Sequence, residues 1–458
     1  MTQQNTAFLF VAGAALALSG CSSSDEAASN ENSGLSGCDV VVKDADCDNT
    51  HRPIVFVHGT YGSGDNIAHV AQLFGSNGYC QDRFVAIEYN SLPTVPDEEK
   101  PALDGRLDAF IDEVLARTGA DQVELMGHSQ GTKHAVTYLS VPEQAAKVAH
   151  YVHLAGGPVA ALPVPTLCLA SQADQIATGL CPPEAEQSVV FETQDHFAVA
   201  ASTDAFVAIW KYLRGEDPTY TTVQCGEETV TVEGFAESFA DNVPATGKLE
   251  IREVTEPRGT PPPAVALDST DATGHFGPLQ LKRNVAYEFK GFDTQGNVIG
   301  YQYFTPFKRS NRLVRLLTPS ANPLVAAAST DNIVRGPNHV AVVARWTGGA
   351  FRQDLGASLK VAGTEVLTDD NSGATALAGS LRGGVVGFFM YDANTNGVTD
   401  LGLAASGPFI AFTDVFMDAS APKFIELSFT PGSEDPDVSE TKIKFSNWGS
   451  TQILLFIE

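Results

Sequence analysis

The amino-acid sequence predicts an α/β segment built on a parallel sheet, followed by all-β modules, and three observations carry that expectation. Between residues 53 and 215, short apolar runs alternate with helical patterns, and such alternation builds a parallel sheet covered by helices on both faces. Beyond 215 the helical patterns stop. There the stretches TVTVEGF, KLEIREV, AYEFKGFD and VIGYQYFTPF are separated by Gly, Pro and Asp turns, the pattern of a small β-sandwich. Finally, residues 122–132, QVELMGHSQGT, run from an apolar strand through a Gly-x-Ser-x-Gly turn into a helical pattern. The 458 residues, 43% hydrophobic and 18% charged, supply cores for several modules. The expected divisions are 1–20, an export signal; 21–50, a flexible tether; 51–218, the α/β segment; 219–322, a β-sandwich module; and 323–458, a second β module.

Taken in order, residues 7–18 form an apolar run of signal-peptide length, too short to cross a bilayer. It ends in Leu18-Ser19-Gly20-Cys21, which resembles the lipobox of bacterial lipoproteins. That resemblance implies cleavage before Cys21, lipidation of its thiol and attachment to an outer-membrane or cell surface, with simple secretion as the alternative. Residues 1–7 lack the Lys or Arg usual in a signal. Setting Cys21 aside leaves six cysteines, an even number that suits disulfides in an exported chain. Cys168 with Cys181 is the favoured pair, and Cys38 with Cys47 the second. The net charge of −27, from 28 Lys and Arg against 55 Asp and Glu, excludes nucleic acid as a partner, because phosphate binding needs clustered cations.

Residues 53–57 (PIVFV) read as a strand ending in His58-Gly59-Thr60-Tyr61-Gly62. A helical pattern over 66–79, a strand over 84–89 and a helix over 103–117 follow. Residues 123–126 then lead into Gly127-His128-Ser129-Gln130-Gly131. In such a turn the serine is held exposed and strained as a nucleophile, and glycines flank it because side chains there collide with the neighbouring strand or helix. An acyl-transfer site also needs two backbone N–H groups aimed at the developing oxyanion. Gln130, after the nucleophile, and Thr60, after the first strand, are the candidates, although His58-Gly59 also reads as a plain tight turn.

Further strands are expected at 150–155, 166–170 and 189–192. Asp174 lies just past the second of these and His196 just past the third. The order Ser129, Asp174, His196 suits a nucleophile, an orienting acid and a general base. His134, His150 and His153 read as structural, and His128 as a support of the turn. Asp195 and Asp204 compete with Asp174 for the acid role, the first awkwardly because it adjoins His196, the second because it falls at a helix start after Ser202.

These residues carry a family resemblance. Through VFVHGTYG, ELMGHSQGT, SQADQI and DHFAV, in that order, residues 51–215 resemble the small class 2 bacterial lipases. The resemblance implies a minimal α/β-hydrolase without a cap domain, an ester substrate with an acyl chain, an acyl-enzyme on Ser129, and no cofactor in the chemistry. Intervals of 45 residues from Ser129 to Asp174 and 22 from Asp174 to His196 leave little room for an inserted lid. Gln130 departs from the Met such lipases often carry there, and residues 91–103 suit a small flap. Tyr61, Phe197, Val199 and the 159–165 loop are apolar candidates for acyl contact. Rival functions are an esterase acting on acylated polysaccharide or polyester, and an adhesin with an inactive hydrolase domain.

The tail contains no second Ser, Asp and His set in hydrolase context, so it is expected to aid substrate capture: its removal is expected to leave short-ester hydrolysis within a few fold and to lower long-chain turnover much more. Some archaeal and bacterial lipases carry β domains in this position, and this tail looks similar. Its DATGHF stretch resembles a β-module turn, which makes His275 a turn residue. HVAVVARW, VGFFMYD and FIELSFT are clear strands. Asp392, Asn394, Asn396 and Asp400 occupy positions 1, 3, 5 and 9 of a calcium-type loop with Gly397 at 6, but Leu403 stands where the bidentate Glu belongs. A structural Ca²⁺ and an Asn/Gly hairpin turn are the two readings.

Overall fold

Six parallel strands carry the first half of the chain: β1 (Ile54–Val57), β2 (Phe84–Ile87), β3 (Val123–His128), β4 (Val148–Leu154), β5 (Thr166–Ser171) and β6 (Gln187–Phe191). They lie in the order β2-β1-β3-β4-β5-β6. This computed structural model describes residues 38–92, 100–157, 161–174, 176–177, 181, 185–239, 241–258, 263–319, 338–372, 385–407, 409–432, 439–449 and 452–457. The expected export signal, Cys21 and the tether as far as 37 lie outside the described residues, as does most of the expected 91–103 flap.

β1, β3 and β5 are buried along their whole length, as strands covered on both faces must be, which is why they read as unbroken apolar runs. On one face Phe56, Met126 and Leu154 meet α1 (Ala68–Ser76) and the helix Thr203–Arg214. There the Phe74 ring lies 5.3–5.5 Å from those of Phe84, Phe206 and Trp210; truncating so buried a ring costs about 3–5 kcal/mol. On the other face Val55, Leu125 and Tyr151 meet α2 (Lys100–Thr118) and α3 (Gln130–Leu139). The helix after Ser202 starts as expected: Ser202 Oγ accepts from Ala205 N at 3.2 Å, and Gly215, at φ 74°, ends it. This is the α/β-hydrolase fold. Its strand order reverses between β1 and β3, and the crevice beyond the carboxyl ends of those strands is where such sheets bind ligands.

The β region is a three-layer stack around one shared sheet. Nine strands run in the order Leu403–Gly407, Ile410–Asp414, Gly387–Tyr391, Ala341–Trp346, Gln452–Ile457, Val298–Phe304, Tyr287–Phe292, Lys248–Glu253 and Ala266–Ser269. This sheet draws strands from both the 219–322 and the 323–458 segments, joined where Gln452–Ile457 runs parallel between Val298–Phe304 and Ala341–Trp346. Period-2 alternation gives it two apolar faces. Val343, Leu454 and Phe456 pack toward the three-stranded sheet of Thr229–Ser238, His275–Lys282 and Asn311–Thr318. Val342, Ala344, Ile453 and Leu455 pack toward a four-stranded sheet containing Phe424–Thr430 and Thr441–Ser446. His275 opens a strand after a turn in which Asp271 accepts from Thr273 N and His275 N.

Three disulfides are present: Cys168–Cys181, as expected, Cys38–Cys225 and Cys47–Cys80. The expected Cys38–Cys47 pair is not formed. The segment between them, which includes a short 3₁₀ helix at Asp44–Asp46, is held against the body at two points: Val42 N donates to Cys225 O at 2.8 Å, and Asp48 N to Gly78 O at 2.8 Å. Its two cysteines therefore meet different partners, and residues 38–50, expected in the tether, are pinned at both ends.

Candidate active site

The turn from β3 to α3 places Ser129 at φ 53°, ψ −117°, a backbone state that a non-glycine residue holds only when its surroundings enforce it. Ser129 N donates to Leu154 O at 3.0 Å, and Ser129 O accepts from Thr132 N and from Thr132 Oγ1. Gly131 has no room for a side chain, since a Cβ there stands 2.1 Å from Val57 O, and one on Gly127 stands 2.9 Å from Gly131 O.

Asp174 follows β5 and His196 follows β6; both are buried, and His196 Nδ1 lies 2.8 Å from Asp174 Oδ2. A carboxylate at that position fixes the Nδ1–H tautomer and leaves Nε2 as the basic nitrogen. Burial works against the Asp174 charge. The hydrogen bond and charge of His196, with N–H groups of Ala177 and Ile176 at 2.9 and 2.8 Å, outweigh it and hold the carboxyl below its ordinary value. The Cys168–Cys181 bridge spans this acid.

His128, the residue before Ser129, sits with its ring 4.9 Å from that of His196, and its Nε2 donates to the His196 carbonyl at 2.9 Å. It therefore ties the His196 backbone to the turn at Ser129. Burial, with the nearby His196, drives its imidazole down to about 3. His134, His150 and His153 are held in other contacts. His153 bonds Tyr151 OH and Gly157 O, and burial takes it down to about 4. His150 pairs with Glu124, whose hydrogen bond raises it, and His134 is buried on α3. Asp195 spends its carboxylate on Phe197 N, Ala198 N and Ala350 N, and Asp204 accepts from Gln194 Nε2 at 3.2 Å, so neither rival acid takes the place of Asp174 at Nδ1.

Thr60 and Gln130 meet across the turn, with Thr60 Oγ1 donating to Gln130 Oε1 at 2.8 Å. Beneath Thr60 the loop is held from the β region, by residues that sequence reasoning missed. Asn242 Nδ2 donates to Gly62 O and Tyr89 O, both at 2.9 Å. Arg315 reaches Asn242 Oδ1, Ser238 O and Ser63 Oγ, and Arg345 forms a two-point ion pair with Asp65 at 2.5 and 3.1 Å. One signal was available: Arg345 interrupts the apolar run HVAVVARW, and a charge at a core position demands a buried partner. The expectation of a removable tail does not fit these contacts.

At the calcium-type loop, Asp392 accepts from Asn396 N and Gly397 N at 3.1 and 2.7 Å, and Asn394 Nδ2 donates to Asp400 Oδ2. The loop thus closes on its own backbone in the manner of a turn, and no group of three or more His, Cys, Asp or Glu among the described residues is placed to hold a metal.

Two family models match parts of the chain. Residues 51–140 match the class 2 lipase model, and residues 228–321 match the lipase C-terminal domain. Residues 51–140 are therefore similar to the class 2 lipases. The matched segment includes Ser129, Thr60 and Gln130, whereas Asp174 and His196 lie beyond it and rest on the geometry above. Similar solved structures include lipase B of Aspergillus fumigatus (14% identity, 38% of this chain, 55% of that chain, TM-score 0.29). The lipase BlEst2 of Bacillus licheniformis in its propeptide form is 13% identical over 87% of this chain and 94% of that one, with TM-score 0.29. The Bacillus cereus carboxylesterase is 15% identical over 32% and 80%, with TM-score 0.22. The chain spans just over half the length of the Aspergillus lipase. The class 2 lipase match supports a lipase or esterase, a carboxylic-ester hydrolase.

Proposed function

We propose that the protein hydrolyses carboxylic esters with a substantial acyl chain through an acyl-enzyme on Ser129. Ser129 Oγ attacks the ester carbonyl, and His196 Nε2 takes its proton and returns it to the leaving alcohol. Asp174 holds the imidazole and stabilises its cation. The backbone N–H groups of Thr60 and Gln130 receive the oxyanion. Water, deprotonated by His196, then releases the acid. The observation that carries this reading is the buried His196–Asp174 pair at 2.8 Å, set against a nucleophile turn strained at Ser129.

Substitution tests it. Ser129→Ala and His196→Ala should each lower kcat by about 10⁴-fold or more with folding preserved, and a fluorophosphonate should label wild type but not Ser129→Ala. Near-wild-type activity in Asp174→Asn with collapse in Asp195→Asn would sink the assignment of the acid, and an unlabelled wild type would favour the adhesin reading. The three disulfides fit an exported chain, and among the described residues no helix is long and apolar enough to cross a membrane. We place the anchor at Cys21 on the strength of Leu18-Ser19-Gly20-Cys21 alone.

A further inference from the structure

Two aromatic residues of the α/β segment flank the reacting groups directly. Tyr61 follows the oxyanion candidate Thr60, and Phe197 follows His196, whose ring it meets edge-on at 5.6 Å. A third ring bridges them from the β region. Phe409, in the turn between Leu403–Gly407 and Ile410–Asp414, lies 6.2 Å from Tyr61 and 5.3 Å from Phe197, edge-on to both. A fourth, Phe239, just past Thr229–Ser238, stacks on Tyr61 at 6.4 Å, and Leu92 packs against this pair.

Two features separate this group from ordinary core. All four rings keep part of their surface exposed, whereas the core phenylalanines Phe56, Phe74, Phe206 and Phe289 are fully buried; a partly open apolar wall at a reactive centre marks a place for an apolar ligand. Backbone strain also converges here. Tyr61 and Phe409 adopt φ 59° and 65°, and Ser129, Ala155 and Asn242 do likewise, five of the nine such non-glycine residues among the described residues. Bulky side chains hold that conformation only where the surroundings over-determine it, and such sites cluster where function requires a fixed placement.

We propose that Phe409 and Phe239 complete the acyl-binding subsite, so that the β region supplies a wall of the catalytic pocket and sets preference for esters of medium or long apolar acyl groups. This rests on the ester-hydrolase reading. Rings set edge-on and stacked offer CH-rich and π surfaces to a methylene chain, and Phe409 couples the oxyanion side of the site to the base side. An acetyl group is too short to gain from most of that wall.

The test uses the full chain and kcat/KM for p-nitrophenyl acetate and p-nitrophenyl octanoate. Removing one ring from an apolar pocket should lower octanoate turnover about tenfold more than acetate turnover in Phe409→Ala, with Phe409→Leu recovering part of the difference. Phe239→Ala should shift the ratio in the same direction and serves as the reading if Phe409→Ala does not fold. Equal losses on both esters, or a gain on octanoate showing the ring to be a plug, would overturn the subsite. Absence of Ser129 labelling and of hydrolysis in the wild type would instead overturn the underlying reaction.

Discussion

His128 is buried without a charge beside the nucleophile, and that determines how the protein should respond to acid. Its folded value of about 3 lies below the unfolded histidine value near 6.5, and that of His153 is about 4. The unfolded chain thus binds protons that the folded state excludes. Stability from these residues is complete above about pH 6.5 and is lost as pH falls toward 4 and below, by about 1.4 kcal/mol per pH unit for each proton. Glu237 opposes this. Burial, with the Glu88 charge beside it, pushes its carboxyl up to about 8, so it favours folding at the acid end and loses that contribution from about 4.5 upward. A difference between variants isolates the histidine: in urea melts at pH 7 and pH 5, His128→Asn should lose about 2 kcal/mol less than wild type. An unchanged pH slope would show that His128 titrates normally. Ser129, Asp174 and His196 were open to proposal from the sequence because each sits at a strand end inside a short motif. Phe409 and Asn242 were not, since each acquires its role only when a distant part of the chain packs against the site.

The loop 58–65 is the element on which the β region acts most directly. Its strand, β1, and its Gly59 and Thr60 were readable from local pattern, but what fixes its path was not: Asn242, 180 residues from Gly62, donates to that carbonyl. Asn242 itself sits at φ 48°, which asparagine tolerates better than most residues. Asn242→Gly keeps that backbone state available and removes only the side chain. It should lower kcat about tenfold to a hundredfold on acetate and octanoate alike, with KM little changed, because displacing the Thr60 N–H affects every oxyanion equally. The chain-length-independent loss distinguishes it from Phe409→Ala. A wild-type kcat would show that the loop holds its shape without this contact.

At the scale of the whole molecule, the sequence distinguishes the α/β from the β region correctly by its change of period, yet the contacts across that boundary depend on tertiary packing no local pattern records. Removing residues 219–458 takes away Arg345 and with it the two-point ion pair that holds Asp65. It also removes Arg315, Asn242 and the Cys225 partner of Cys38. Against a total stability of about 5–15 kcal/mol, the truncated chain should lose cooperative melting and acetate hydrolysis together; full acetate activity in a folded 38–218 fragment would contradict this. The position of Gln452–Ile457 has a further effect, on the order in which the molecule is made. Until that strand has been synthesised and docked, Val298–Phe304 and Ala341–Trp346 have no neighbour on their facing sides, the shared sheet stays in two halves with open edges, and Arg345 has no finished strand from which to reach the catalytic loop. A ribosome releasing the chain from its amino end therefore delivers Ser129 long before it delivers the strand that completes the shared sheet.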